Sequence, residues 1–256
     1  MKNINLFFVG TAGSGKTSLT YAFQRWMNGE GLDSVIVNLD PGAEKLPYTP
    51  DIDIREWVSL PEIMRQHNLG PNGAQIACAD LLAFNIEHVK KIIDEYKTNY
   101  IIIDTPGQSE LFTFRHASQQ IVNTLGVDNS ALIFLIDPFI AQVPTGFVSE
   151  LLLASTIQFR FGLPILNIIS KSDMVEREEL EKIIEWSTDL LKLEEVITID
   201  SQQLTSHLNL ELLRVLQDME IYQTLIPTSA ETGQGMEDIY NFIQQIFEGG
   251  EDLQPD

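Results

Sequence analysis

Residues 4–20 read INLFFVGTAGSGKTSLT. The run from Ile4 to Val9 is mostly apolar and strand-prone, and it stops at Gly10. Gly10 to Thr17 fits G-x-x-x-x-G-K-[ST] at every fixed position. Leu19, Tyr21, Phe23 and Trp26 then turn the pattern helical. Strand, glycine loop and helix, in that order, is the context this motif needs. Glycines let the backbone curl around a phosphate chain with its N–H groups inward. A helix starting near Gly15 adds free N–H groups and the positive end of its dipole. Lys16 supplies a point charge for β- and γ-phosphates, and the Thr17 hydroxyl is a candidate Mg²⁺ ligand. The bland alternative is a chance glycine loop, and the flanking strand and helix weigh against it.

The chain has 256 residues, a formal charge of −21 and 44% hydrophobic residues. One α/β domain with an ample core is the expectation, spanning 1–248 and followed by an acidic, disordered tail at 249–256. The charge argues against non-specific binding of nucleic acid or of an anionic membrane. Cys78 is the only cysteine, which rules out an internal disulfide and suits a reducing, cytoplasmic setting. His67, His88, His116 and His207 have no metal-ligand spacing. No signal peptide precedes Gly10, and no apolar run reaches membrane-spanning length.

Further along, Ser34 to Leu39 reads as a second strand ending at Asp40-Pro41. A carboxylate at a strand end beside a phosphate loop is a candidate for holding Mg²⁺ or polarising water. An Asp-Pro turn starter is the plain alternative. Leu60 to Asn68 is helix-like. Gly70-Pro71-Asn72-Gly73 reads alone as turn chemistry, with Pro fixing φ and Asn and Gly accepting positive φ. Asp80 to Tyr96 is expected to be helical, with Leu82, Ile86, Val89 and Ile93 on one face.

Tyr100 to Asp104 is an apolar strand ending in Asp104-Thr105-Pro106-Gly107-Gln108. D-x-x-G at a strand end is the γ-phosphate sensor of GTP-binding proteins: the Asp reaches the Mg²⁺ shell and the Gly N–H meets the phosphate. Gln108 stands where Ras-like proteins orient the attacking water, and Glu110 lies two residues on. Ser130 to Asp137 is another buried strand, Ala141 to Phe161 a long helix, and Pro164 to Ser170 a strand. The strand leads into Ser170-Lys171-Ser172-Asp173. This resembles [NT]-K-x-D, whose carboxylate accepts from the guanine N1–H and 2-amino group, with Ser170 at the usual Asn position. Glu176 to Leu193 is expected to be one helix, Glu194 to Glu220 more helix, Ile221 to Pro227 the last strand and Met236 to Phe247 the closing helix. Ser229-Ala230 matches the loop whose backbone N–H supports guanine O6.

Four motifs thus stand in the order of GTP-binding proteins. VNLDPGAE at 37–44, DIDIR at 51–55, Gly70-Pro71-Asn72 and DTPGQSELF at 104–112 resemble the GPN-loop GTPases, an archaeal and eukaryotic family. The chain is identified with the archaeal-type homodimeric members, and the match covers roughly 4 to 248. The resemblance implies a P-loop NTPase three-layer sandwich with a mainly parallel sheet, like the signal-recognition and MinD-type dimeric GTPases. The GPN-loop insertion would run from about 55 to 98. It makes Gly70-Pro71-Asn72 more than a turn: Asn72 would reach the active site of a second copy. Asp40, Asp104, Gln108 and Glu110 match the family's Mg²⁺ and water-positioning groups. Gly13, Ser14, Gly15, Lys16, Thr17 and Ser18 match its phosphate loop, with Gly107 at the γ-phosphate. Lys171, Asp173 and Ala230 match its guanine contacts. Thr17, Asp40 and Asp104 would hold the Mg²⁺ that accompanies GTP or GDP. Eukaryotic relatives assist assembly and nuclear import of RNA polymerase II, so a client protein is a further expectation.

The reading is therefore a homodimeric, Mg²⁺-dependent GTPase acting as a switch or assembly factor. A nucleotide-dependent binding module with negligible turnover is the alternative. A small-molecule kinase is disfavoured, because kinases lack the D-x-x-G-Q and K-x-D set.

Overall fold

The computed structural model describes residues 3–108, 112–113, 115–199, 210–216 and 224–249. Among the described residues, seven strands form one sheet: β1 (Ile4–Gly10), β2 (Ser34–Asn38), β3 (Ile52–Asp53), β4 (Tyr100–Asp104), β5 (Ser130–Ile136), β6 (Ile165–Ile169) and β7 (Ile226–Pro227). Their order across the sheet is β3-β2-β4-β1-β5-β6-β7. Every pairing is parallel, so every strand ends at the same edge. That edge is where an open α/β sheet binds ligands.

The strands read as mostly apolar runs because both faces are covered, with Asn5 and Asn167 among the buried polar exceptions. In β1, Leu6 and Phe8 face Leu19, Phe23 and Met27 of α1 (Lys16–Gly29) together with Ile239 and Ile243 of the closing helix Met236–Phe247. Phe7 and Val9 face the opposite, larger core. That core is built by α2 (Leu60–His67), α3 (Pro71–Ile93), α4 (His116–Leu125), the short α5 (Pro138–Ala141), α6 (Pro144–Phe161), α7 (Arg177–Thr188), α8 (Leu190–Ile199) and the helix at 210–216, α9. The closing helix is α10. The result is the expected three-layer sandwich.

Several boundaries differ from the sequence expectation. Gly70-Pro71-Asn72-Gly73 is no turn: Pro71 opens α3, nine residues before Asp80, and the Ala74 N–H donates to Gly70 O at 3.0 Å. Pro suits a first helical position because that N–H has no intrahelical partner anyway. The left-handed residue lies earlier, at Asn68 (φ 51°), where it ends α2. Ala141 to Phe161 is two helices. Asp137 caps the first by accepting from the Phe139 N–H, and Pro144 opens the second. Gly146 lets α6 close on the Ile140 carbonyl, where a side chain would collide. Glu176 to Leu193 breaks at Asp189, whose carboxylate accepts from the Leu191 N–H at 3.1 Å. Of the strand expected over 221–227, Ile226–Pro227 is observed and 221–223 lie outside the described residues. The proposed tail, beyond Gly249, lies outside them too.

Candidate functional site

Gly13 (φ 81°) and Gly15 (φ 93°) hold left-handed conformations in the loop after β1, which glycine adopts without strain. Gly15 caps α1, and its carbonyl accepts from the Leu19 N–H. Lys16 and Thr17 therefore begin the helix, at its positive end. The Lys16 ammonium, 5% exposed, donates to Gly10 O and Thr11 O at 2.9 Å and to Gly107 O at 3.0 Å. Thr11 Oγ1 and Ser14 Oγ are buried with no hydrogen-bond partner among the described residues. A loop with a buried ammonium and two unpaired hydroxyls at the head of a helix suits a polyphosphate.

Gly107 is held from its other side as well. Its N–H donates to Asp40 Oδ2 at 3.0 Å, while Asp40 Oδ1 accepts from the Gly42 N–H at 2.8 Å. The loops after β1, β2 and β4 thus meet at one glycine. Asp104, fully buried at the end of β4, accepts from the Tyr48 hydroxyl at 2.9 Å through Oδ2. Asp104 Oδ1 is buried without a partner. Burial pushes the Asp104 pKa up to about 6 against the pull of the Thr17 and Tyr48 hydroxyls; the Asp40 charge adds to the rise and Lys16 opposes it.

Thr17 and Asp40 both act on Asp104, and the three offer a donor set that fits Mg²⁺: a hydroxyl and two carboxylates, of which Asp104 Oδ1 has no hydrogen-bond partner. No three of His, Cys, Asp and Glu form a metal cage among the described residues. Mg²⁺ held jointly with substrate phosphates needs only one or two carboxylates.

On the far side of the phosphate loop, Lys171 (φ 52°) lays its stem across Gly15, its Cε 3.6 Å from where a Cβ would stand. Its ammonium pairs with Asp137 at 2.8 Å. Asp173 is exposed in a tight turn at Ser172–Met174. The loops after β6 and β7 are laced together: the Ser172 N–H donates to Thr228 O, and the Ser172 hydroxyl to Gln234 Oε1, both at 3.0 Å. Ala230 follows directly, beside Ser18 and Pro47 in one cleft. Ser170 is buried, and its hydroxyl donates to Ile136 O at 3.1 Å.

Not every expected residue joins the cluster. Asn72 is exposed in the first turn of α3 and shares no hydrogen bond with Asp40 or Gln108. Gln108 is exposed above a mostly apolar cavity of about 120 Å³, walled by Asp40, Leu60, Gln75, Leu82 and Phe112. Glu110 lies outside the described residues. Three residues of the site carried no signal in the sequence: Tyr48, Asp137 and Glu150. Glu150, on α6, is 3% exposed and leaves Oε2 without a partner. Burial, with the Asp137 charge adding to it, pushes its pKa up to about 7, and the Thr11 hydroxyl pulls the other way.

The chain resembles known proteins over nearly its whole length. Residues 8–249 match a family model described as a conserved hypothetical ATP binding protein. A GPN-loop GTPase of Pyrococcus abyssi is 34% identical, over 94% of this chain and 96% of its own. GPN-loop GTPase 1 of Dictyostelium discoideum is 35% identical over 94% of this chain, which spans 60% of that longer relative. The crystal structure of an apo-form GTPase from Pyrococcus abyssi superposes with a TM-score of 0.87 at 30% identity, covering 96% of this chain and 98% of that one. With motifs, sheet and relatives in agreement from end to end, the chain belongs to the family of the GPN-loop GTPases.

Proposed function

We propose that this chain hydrolyses GTP to GDP and phosphate with Mg²⁺, as a homodimer that serves as a conformational switch or assembly factor. Residues 1–248 form the GTPase unit, with 55–98 as its GPN-loop insertion. The observation that carries the reading is the convergence on Gly107: Lys16 holds its carbonyl and Asp40 its N–H, across 91 and 67 residues of chain. A γ-phosphate arriving there would take the ammonium and the N–H together, freeing Asp40. Gly13, Ser14, Gly15, Lys16, Thr17 and Ser18 cradle the phosphates. Thr17, Asp104 and Asp40 would hold Mg²⁺, which would supply charge neutralisation for the bound phosphates. Asp40 polarises the attacking water, and Gln108 and Glu110 place it. Lys171, Asp173 and Ala230 take guanine.

The exposure of Asn72 at the head of a helix supports its reach into a second copy. There an amide donor would stabilise the leaving phosphate where other enzymes use arginine. By family analogy the client is a large assembly such as RNA polymerase. Among the described residues, no helix is long and apolar enough to cross a membrane.

The test is phosphate release with GTP and with ATP across a range of protein concentration, with Mg²⁺ or EDTA. GTP-only, Mg²⁺-dependent release that rises more steeply than protein concentration is expected. GTP binding without release at any concentration would favour the binding module, and ATP turnover would overturn the guanine assignment.

A further inference from the structure

The loop between β2 and β3 crosses directly over Asp104, and it is fastened at three places. At its start and end, Arg55 grips Asp53 with a two-pronged ion pair and donates to Ala43 O at 2.9 Å. Asn38 adds a hydrogen bond to Asp53 Oδ1 at 2.9 Å. Burial raises the Asp53 pKa, but the bonds from Arg55 and Asn38 outweigh it and hold the carboxyl below its usual range. In the middle stands Tyr48, whose ring stacks on Tyr21 of α1 with centroids 5.7 Å apart. Its hydroxyl donates to Asp104 Oδ2.

We propose that Tyr48 is a positioning residue for the divalent cation: it fixes one oxygen of Asp104 so that the other is presented to the metal, and it thereby couples metal binding to the 41–51 loop. The proposal rests on the Mg²⁺ reading of Thr17, Asp40 and Asp104. A carboxylate with no fixed partner rotates about its last bond and loses that freedom when it binds a cation. A hydrogen bond to one oxygen removes that freedom in advance, and such orienting partners are worth roughly 10–100-fold in metal affinity. The orphaned Oδ1 beside the bonded Oδ2 is the arrangement this requires. Coupling is reciprocal: whatever Tyr48 contributes to the metal, the metal returns as order in the loop.

The experiment measures binding of fluorescent GDP against free Mg²⁺ in the wild type, Tyr48→Phe and Tyr21→Leu, with an EDTA arm for each. Tyr48→Phe is expected to raise the Mg²⁺ concentration for half-maximal effect about tenfold, leaving affinity in EDTA within about twofold. Tyr21→Leu removes the stacking plate and keeps the hydroxyl, so its midpoint should move by less than about threefold. Equal midpoints in wild type and Tyr48→Phe would overturn the proposal. So would a Tyr21→Leu shift as large as that of Tyr48→Phe, which would trace the effect to packing. A wild type indifferent to Mg²⁺ would instead remove the metal reading beneath it. Should Tyr48→Phe fail to fold, hydrogen exchange on the wild type decides. Amides of 43–51 should exchange more slowly with Mg²⁺ and GDP than with GDP in EDTA, and equal rates would refute the coupling.

Discussion

Asn72 and Glu150 mark two opposite costs at the residue scale. Asn72 is exposed and contributes nothing to its own fold beyond a helical turn. Asn72→Ala is therefore expected to leave GTP affinity within about twofold while slowing hydrolysis by roughly 10²-fold, as losing a transition-state donor does. An unchanged kcat would end its proposed role in a second copy's active site. Glu150 is the reverse case, a buried acid whose folded pKa of about 7 exceeds the ordinary glutamate value of 4.5. Below pH 4.5 both folded and unfolded forms hold the proton, and burial carries no ionic penalty. As pH rises from 4.5 through 7, the unfolded chain gives up its proton first, so this group's contribution to stability falls and is fully lost above pH 7. Glu150→Gln should abolish that slope, so its stability relative to wild type should improve by on the order of 2 kcal/mol between pH 5 and pH 8, read by urea unfolding. The sequence could reveal Lys16 and Gly107 because their geometry is written in short local motifs. It could not reveal Tyr48, which meets Asp104 from 56 residues away, or Glu150, whose neighbours Asp137 and Thr11 come from other strand ends.

Among the elements, α3 carries Pro71 and Asn72 of the proposed GPN loop in its first turn. Its buried side, Ala74, Cys78, Leu82, Ile86, Val89 and Ile93, packs on the sheet, and Arg115 at the cap of α4 grips Asp80 through both carboxylate oxygens at 2.8 Å. Ile86 is fully buried, so Ile86→Ala should cost about 2–5 kcal/mol in urea unfolding. The helical face from Leu82 to Ile93 was legible because its spacing repeats the helical period. The first nine residues were not, because Gly-Pro-Asn-Gly satisfies the local rules of a turn and of a helix start alike. Only packing chooses between them, through buried Ala74 and Cys78. The same ambiguity hid the breaks at Pro144 and Asp189, where apolar spacing continues across a change of helix.

Across the whole molecule, 37 acidic residues against 16 basic ones give the charge of −21. Two such copies repel at long range, and salt screens that repulsion over about 8 Å at physiological ionic strength. Self-association of the proposed homodimer should therefore strengthen by roughly severalfold between 20 and 200 mM NaCl, by sedimentation equilibrium. Weakening with salt would mean that attractive ion pairs dominate the interface. The buried strands were legible from their apolar runs and the parallel sheet from the family resemblance, whereas nothing local tells β1 to lie between β4 and β5. That order sets Gly107 between a carboxylate on one side and an ammonium on the other. Gly107 is held at its carbonyl by an ammonium that also keeps Gly10 O and Thr11 O, and at its N–H by a carboxylate that also keeps the Gly42 N–H. An anion that competes for Gly107 therefore breaks one charge-assisted hydrogen bond on each side and strands neither ion, so the loop is a latch with two catches that can be lifted singly.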